Sequence, residues 1–166
     1  LAAWRTDVGA DAYNDAGDHE TIVHCHRSKS AEIHIDQAGA NVVSVNLACS
    51  GAETVTTASG GDFTPGIDFS QNEGLGQRGQ AMELYRLASA NPGRISMVVL
   101  SIGGNDFQFS HVVRTCVESF MSGNPGCSTL PQVQAVFKEP NVGTQLKKIV
   151  QAIHNIDDAM TEAGYT

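Results

Sequence analysis

The sequence predicts an α/β domain built on a parallel sheet, and three segments support that prediction. Residues 95–102 form an almost unbroken apolar run of strand length, too continuous for a strand with one face in water, which predicts a buried strand. Residues 41–48 predict a second strand, because valines cluster there and a Cys-Ser-Gly turn follows. Between them, residues 77–90 predict a helix long enough for a right-handed crossover, with Met82 and Tyr85 on its inner face.

The remaining elements are predicted to be helices and one long loop. Residues 28–40 fit a short helix that begins at a serine cap and ends at Gly39. Residues 110–122 and 143–163 carry apolar side chains at helical spacing, and the second of these is the clearest helix in the chain. Residues 53–73 are polar and glycine-rich, which predicts a long surface loop.

The overall composition bounds the size and the partners of the protein. Its 166 residues, 41% of them hydrophobic, suffice for a core, so we expect a single domain over residues 1–166. A net charge of −8 argues against nucleic acid or an anionic membrane surface as the main partner. No apolar run approaches the roughly 20 residues that a membrane-spanning helix needs. We therefore expect no nucleic-acid partner and no membrane span.

The chain contains four cysteines, and an even count is compatible with two disulfides. Local pairing would join Cys25 to Cys49 and Cys116 to Cys127, although the sequence alone allows three pairings. Oxidised cysteines would indicate a secreted protein. The alternative is four reduced, buried thiols in a cytosolic protein.

Two local patterns suggest a metal or a cofactor, and neither is specific. His24, Cys25 and His26 are adjacent, but neighbours in an extended segment point to opposite faces, and no second Cys or His pair lies at zinc-finger spacing. Residues 74–79 match the glycine fingerprint of dinucleotide-binding loops, but no buried strand precedes them and valines stand where the acidic residue belongs. We therefore expect no metal and no cofactor.

Polar side chains follow the predicted strand at residues 95–102. Gly103 and Gly104 allow the backbone to turn sharply, and Asn105 and Asp106 come next. Ligands of open α/β sheets bind beyond the carboxyl ends of the strands, so the Asn105 amide would be well placed to donate hydrogen bonds to a substrate oxygen. The alternative is an ordinary turn between a strand and a helix, capped by a short polar side chain.

Three sequence blocks, taken in this order, resemble one family of enzymes. They are CHRSKS at residues 25–30, NLACSGA at residues 46–52 and SIGGNDF at residues 101–107. Together they resemble the SGNH, or GDSL-type, serine esterases and lipases, particularly the secreted members, over most of residues 7–107. The resemblance implies a three-layer αβα domain with a flavodoxin-like parallel sheet. It also implies hydrolysis of small-molecule or lipid esters through a serine acyl-enzyme.

The resemblance assigns roles to individual residues as well. Gly51, through its backbone N–H, and Asn105, through its side-chain amide, would form the oxyanion hole, where the loss of one donor typically costs about 3 kcal/mol. Asp106 would fix the turn and take no part in the chemistry. The disulfides of secreted members resemble two pairs in this chain, Cys25–Cys49 and Cys116–Cys127.

Two catalytic blocks of the family are missing from this chain. No Gly-Asp-Ser block is present, and counting back from Asp7 sets Leu1, Ala2 and Ala3 in its place, so Ala3 stands at the inferred nucleophile position. No histidine has an aspartate three residues before it, so the Asp-x-x-His block that supplies the base is absent too. These departures predict either the amino-terminal part of an ester hydrolase, without the family's C-terminal part, or a catalytically inactive relative that serves as a binding or structural module.

The predicted sheet would also be incomplete. In a flavodoxin-like strand order, the strand that leads to the missing serine would lie between the two strands predicted here. Those two strands would not touch, and their backbone groups would need other partners. We therefore expect a complementing chain or a homo-oligomer to complete the sheet.

Overall fold

The computed structural model describes residues 25, 44–59, 62–124 and 126–166, in which four helices and two pairs of short strands form. The strands are β1 (Thr57–Ser59), β2 (Asp62–Thr64), β3 (Gln71–Asn72) and β4 (Gln77–Arg78). The helices are α1 (Gln80–Ala90), α2 (Phe109–Met121), α3 (Pro131–Val136) and α4 (Asn141–Glu162). Single turns of 3₁₀ helix lie at Glu73–Leu75 and Cys127–Thr129.

Helices α1 and α4 pack against each other and form the main helical contact of the described residues. Small side chains are buried on both helices, namely Ala81 and Ala88 of α1 and Ala152 and Ala159 of α4. Alanine side chains let two helix backbones approach closely, so the contact is tight although few large side chains are buried in it. Leu84 of α1 adds a larger apolar group to the same core.

The segment at residues 53–73, predicted as a loop, contains short strands and docks on both of these helices. Its strand β1 pairs antiparallel with β2, and β3 pairs antiparallel with β4. At the start of α1, the Gln80 N–H donates to the Gly66 carbonyl at 2.7 Å. From α4, the Asn155 side-chain amide donates to the carbonyl of the buried Ile67 at 2.6 Å. Backbone carbonyls of the segment therefore accept hydrogen bonds from both helices. Such bonds do not require a regular spacing of apolar residues in the sequence.

No parallel sheet forms in the described residues, and the prediction of a three-layer αβα, flavodoxin-like fold is wrong for them. The strands lie in two separate antiparallel sheets of two strands each. Residues 95–102 belong to no helix or strand, and Met97 and Val99 are 56% and 57% exposed instead of buried. Residues 44–48 are also irregular, while residues 41–43 of the same predicted strand lie outside the described part of the chain.

The physical reason is that residues 95–102 have no neighbouring strand among the described residues. The Arg94 and Ile95 N–H groups donate to the Tyr165 hydroxyl at 3.1 and 3.2 Å. From residue 96 to residue 102, no backbone group is hydrogen-bonded within the described part of the chain. An apolar run expresses a preference for burial, but a strand forms only when another strand supplies the matching donors and acceptors.

The three long helices predicted after residue 76 are confirmed. Residues 77–90, 110–122 and 143–163 correspond to α1, α2 and α4, with bounds that differ by up to about three residues. The inner face of α1 was predicted wrongly, because Met82 and Tyr85 are only half-buried. The helix predicted at residues 28–40 lies outside the described residues. Among the described helices, none is long and apolar enough to cross a membrane.

Candidate functional site

The first candidate turn carries Gly51 and is anchored by a disulfide. Cys25 and Cys49 are bonded to each other, which confirms the local pairing, and the Ser50 N–H donates to the Cys25 carbonyl at 2.9 Å. The Ala52 N–H closes the turn by donating to the Cys49 carbonyl at 3.2 Å. Gly51 has a φ of +75°, a conformation that glycine adopts without strain. Gly51 is exposed, and its N–H has no acceptor among the described residues.

The second candidate turn carries Asn105 and leads into α2. The Phe107 N–H donates to the Gly103 carbonyl at 3.0 Å, and the Gln108 N–H donates to the Asn105 carbonyl at 2.8 Å. Gly103 has a φ of +108°, and a Cβ placed there would lie 3.0 Å from Cδ1 of Ile149 on α4. The turn therefore needs glycine both for its backbone conformation and for its contact with α4.

Side-chain hydrogen bonds join these two turns directly. The Asn105 Nδ2 donates to the Ala52 carbonyl at 2.8 Å. The Thr54 N–H and hydroxyl both donate to the Asp106 carboxylate, the hydroxyl at 2.6 Å. The structure thus brings the turns of Gly51 and Asn105, the two predicted oxyanion-hole residues, next to each other, although more than fifty residues separate them in sequence.

The arrangement offers hydrogen-bond donors close to a buried, fixed carboxylate. A side-chain amide carries two hydrogens on its nitrogen, and the Ala52 carbonyl needs only one of those on Asn105. Within the described residues, neither the second hydrogen of Asn105 nor the exposed Gly51 N–H has an acceptor. Two such donors on adjacent turns are the kind of group that stabilises negative charge on an ester oxygen.

The described residues do not assemble a nucleophile and a base around these donors. Ala3, at the inferred nucleophile position, lies outside them, as does Ser28. Ser50 and Ser101 are described, and neither hydroxyl is hydrogen-bonded to a histidine in the described part of the chain. The described histidines, His111 on α2 and His154 on α4, are both exposed. No group of three or more potential metal ligands is present within the described ranges.

The second disulfide joins two residues outside the candidate turns. Cys116 of α2 is bonded to Cys127 in the following 3₁₀ turn, which confirms the second local pair. On the exposed surface of α2, the pKa of Arg114 is raised by its hydrogen bond to Glu118 and by the charge of that carboxylate. This disulfide ties α2 to the segment before α3 and takes no part in the contact between the two turns.

A shallow groove of about 290 Å³ lies between residues 95–98 and the carboxyl end of α4. Asp157, Met160 and Tyr165 are among its lining residues. The Tyr165 hydroxyl also donates to the Asn91 carbonyl, so this side chain fixes the start of the unpaired segment against α4. The groove is a separate feature from the paired turns, because its lining includes neither Gly51 nor Asn105.

The sequence predicted Gly51 and Asn105 as site residues but gave no sign of the hydrogen bonds that join their turns. Asp106 was predicted to fix its own turn, whereas its carboxylate binds Thr54 in the other turn. No local pattern could have revealed this pairing, because Thr54 lies in a segment that was predicted to be an irregular loop. Comparison of the chain with known protein families, with curated proteins and with solved structures found no match.

Proposed function

We propose that this chain supplies the oxyanion hole of a serine ester hydrolase of the SGNH type. The substrate would be a small-molecule or lipid ester, and the reaction would pass through a serine acyl-enzyme. The observation that carries the proposal is the contact between the two turns, in which the Asn105 amide lies 2.8 Å from the Ala52 carbonyl, one residue from Gly51. The sequence blocks that contain these residues support the same proposal.

The proposed role follows from the charge that develops during ester hydrolysis. Attack on the carbonyl carbon moves negative charge onto the carbonyl oxygen, and preorganised N–H donors stabilise that charge. The Ala52 carbonyl fixes the direction of the Asn105 amide, so its second hydrogen needs little reorganisation when substrate binds. Gly51 would donate its backbone N–H in the same way.

The unmodified 166-residue chain gives the baseline for a test. Alanine at position 3 cannot form an acyl-enzyme, and an oxyanion hole alone retains only about 10³ to 10⁴-fold acceleration over water. We expect no labelling by a fluorophosphonate probe and no burst with short-chain nitrophenyl esters. Stoichiometric labelling of this chain would contradict the inferred nucleophile position, and peptide mapping would then examine Ser28, Ser50 and Ser101 first.

The positive test restores the missing nucleophile block. A chain with Leu1→Gly, Ala2→Asp and Ala3→Ser should be phosphonylated at position 3, with imidazole added to replace the absent base. Adding Asn105→Ala should lower the labelling rate at least tenfold, because one oxyanion donor is typically worth about 10² to 10³ in rate. Asn72→Ala is the matched control, because the Asn72 side chain makes no capping hydrogen bond. The proposal fails if position 3 is not labelled, or if Asn105→Ala leaves the labelling rate unchanged.

The second candidate function is a catalytically inactive binding or structural module. It is favoured by the apolar surface around residues 95–102 and along α2, where Val113 and Val117 are exposed while Thr115 and Ser119 are buried. Such surfaces mark interaction sites on soluble proteins. A complementing chain or a second copy would cover them, and sedimentation analysis of the isolated chain distinguishes a monomer from a homo-oligomer.

We also propose that the protein acts outside the cell. The two disulfides are compatible with an extracellular protein, because disulfides persist in oxidising compartments. Labelling of free thiols in protein isolated from its native source tests this proposal. Four reactive thiols after denaturation without reductant would contradict it.

A further inference from the structure

The two turns that carry Gly51 and Asn105 are closed into a ring by hydrogen bonds. The ring begins with the bond from Asn105 Nδ2 to the Ala52 carbonyl at 2.8 Å. Two residues further on, the Thr54 N–H donates to both oxygens of Asp106 at 3.1 and 3.2 Å, and the Thr54 hydroxyl donates at 2.6 Å. The backbone from Ala52 to Thr54 and the peptide bond between Asn105 and Asp106 complete the ring.

The Thr54–Asp106 side of this ring is buried. Thr54 is 2% exposed and Asp106 is 4% exposed. Within the described residues, the Asp106 carboxylate receives hydrogen bonds from Thr54 alone and forms no salt bridge. Hydrogen bonds to a charged acceptor are stronger than neutral ones, and a buried carboxylate without donors is unfavourable. The ring therefore holds the two turns in one relative position.

The Asn105 side chain is half-buried, and its one hydrogen bond among the described residues is the one to the Ala52 carbonyl. Its amide is directed by the Ala52 carbonyl, and the position of that carbonyl depends on the neighbouring Thr54. A loss of the bonds to Asp106 would let the segment that contains Ala52 move relative to the turn of Asn105. The amide would then lose its acceptor.

We propose that Thr54 and Asp106 are positioning residues that orient the Asn105 amide and set its placement relative to Gly51. This inference rests on the proposed function, in which Asn105 and Gly51 donate to the ester oxyanion. Neither Thr54 nor Asp106 touches the substrate in this role. They act through the backbone of the two turns.

The chain contains a matched pair of residues that serves as a control. The Thr56 N–H and hydroxyl donate to the Asp68 carboxylate, each at 2.6 Å. This pair has the same chemistry as Thr54 and Asp106, but it closes the segment around β1 and β2 and makes no hydrogen bond to Asn105. Thr56→Val should therefore destabilise the fold locally without altering the Asn105 amide.

The experiment measures exchange of the Asn105 side-chain amide protons with water by ¹H–¹⁵N NMR of the 166-residue chain. Thr54→Val removes one hydrogen-bond donor and Asp106→Ala removes the acceptor, so each should accelerate this exchange about tenfold or more. Thr54→Ser keeps the hydroxyl and should restore slow exchange, while Thr56→Val should leave the rate within about twofold of the parent. Asp106→Ala provides the test if Thr54→Val does not fold.

Two results would overturn the inference. The first is slow exchange of the Asn105 amide in either Thr54→Val or Asp106→Ala when that variant is folded, and the second is an equal acceleration in Thr56→Val. A second measurement separates this inference from the proposed function. In the chain with a restored Gly-Asp-Ser block, Thr54→Val should lower the maximal phosphonylation rate about tenfold with little change in the probe concentration at half-maximal rate. If no variant is labelled while the NMR result holds, the orientation of Asn105 by Thr54 stands and the ester hydrolase proposal is overturned.

Discussion

The contact between Gly103 and Ile149 allows a quantitative prediction about the turn that carries Asn105. Gly103→Ala would place a Cβ 3.0 Å from the Ile149 Cδ1 atom, and the backbone would have to keep a φ of +108°. That conformation is rarely adopted by residues with a side chain. We therefore expect Gly103→Ala to destabilise the protein.

The magnitude follows from three contributions. A non-glycine residue in a sparsely populated backbone region costs about 1 to 3 kcal/mol. The overlap with the end of the flexible Ile149 side chain adds about 1 kcal/mol. The lower entropy of the unfolded alanine chain offsets roughly 0.4 to 1 kcal/mol. The free energy of unfolding should fall by about 2 kcal/mol in total.

The assay is urea unfolding followed by far-ultraviolet circular dichroism, with Gly104→Ala as the control. Gly104 has no left-handed φ, and a Cβ added to it would meet no described atom within 4 Å, so its substitution should change stability by about 0.5 kcal/mol or less. Ile149→Val removes Cδ1, and combining it with Gly103→Ala should recover about 1 kcal/mol relative to the sum of the single changes. Equal effects at positions 103 and 104, or no coupling to Ile149, would refute the reasoning.

Three further predictions test other parts of the structure. Non-reducing peptide mapping should recover both disulfide-linked peptides, and replacing either pair with serine should lower the free energy of unfolding by about 3 kcal/mol; unchanged stability would contradict the prediction. Ala159→Leu should overpack the contact between α1 and α4 and lower the free energy of unfolding by about 1 to 3 kcal/mol, whereas Asp158→Leu, at an exposed position, should change it little. Similar values for the two variants would contradict the described packing. Asn155→Ala should lower the free energy of unfolding, measured by urea titration, by about 1 to 3 kcal/mol, because the carbonyl of the buried Ile67 loses its donor. Asn72→Ala, at a residue without such a bond, should leave it nearly unchanged.

Helices α1, α2 and α4 could be predicted from the sequence because helical hydrogen bonds are local. Each helix contains its own donors and acceptors, so apolar spacing and the flanking glycines are sufficient to locate it. The face that a helix buries is less predictable. Ala81 and Ala88 of α1 are buried while Met82 and Tyr85 are only half-buried, because the neighbouring α4 approaches closely where side chains are small.

The structure of residues 95–102 could not be predicted from their own pattern, because a strand depends on a partner elsewhere in the chain. The apolar run indicates a preference for burial, but from residue 96 to residue 102 its backbone makes no hydrogen bond among the described residues. The reverse error occurred at residues 53–73, where a polar segment forms short strands. The Asp68 carboxylate and backbone carbonyls accept the hydrogen bonds that hold this segment in place. Such bonds leave no apolar pattern in the sequence.

The sequence by itself predicted Gly51 and Asn105 as candidates for a functional turn, because they lie in glycine-containing blocks that resemble those of ester hydrolases. It also restricted the four cysteines to three pairings. Only the tertiary structure decided that the two turns meet, and that Thr54 and Asp106 join them. The physical reason is that these bonds connect residues more than fifty positions apart, and their strength depends on burial that no local pattern of residues expresses.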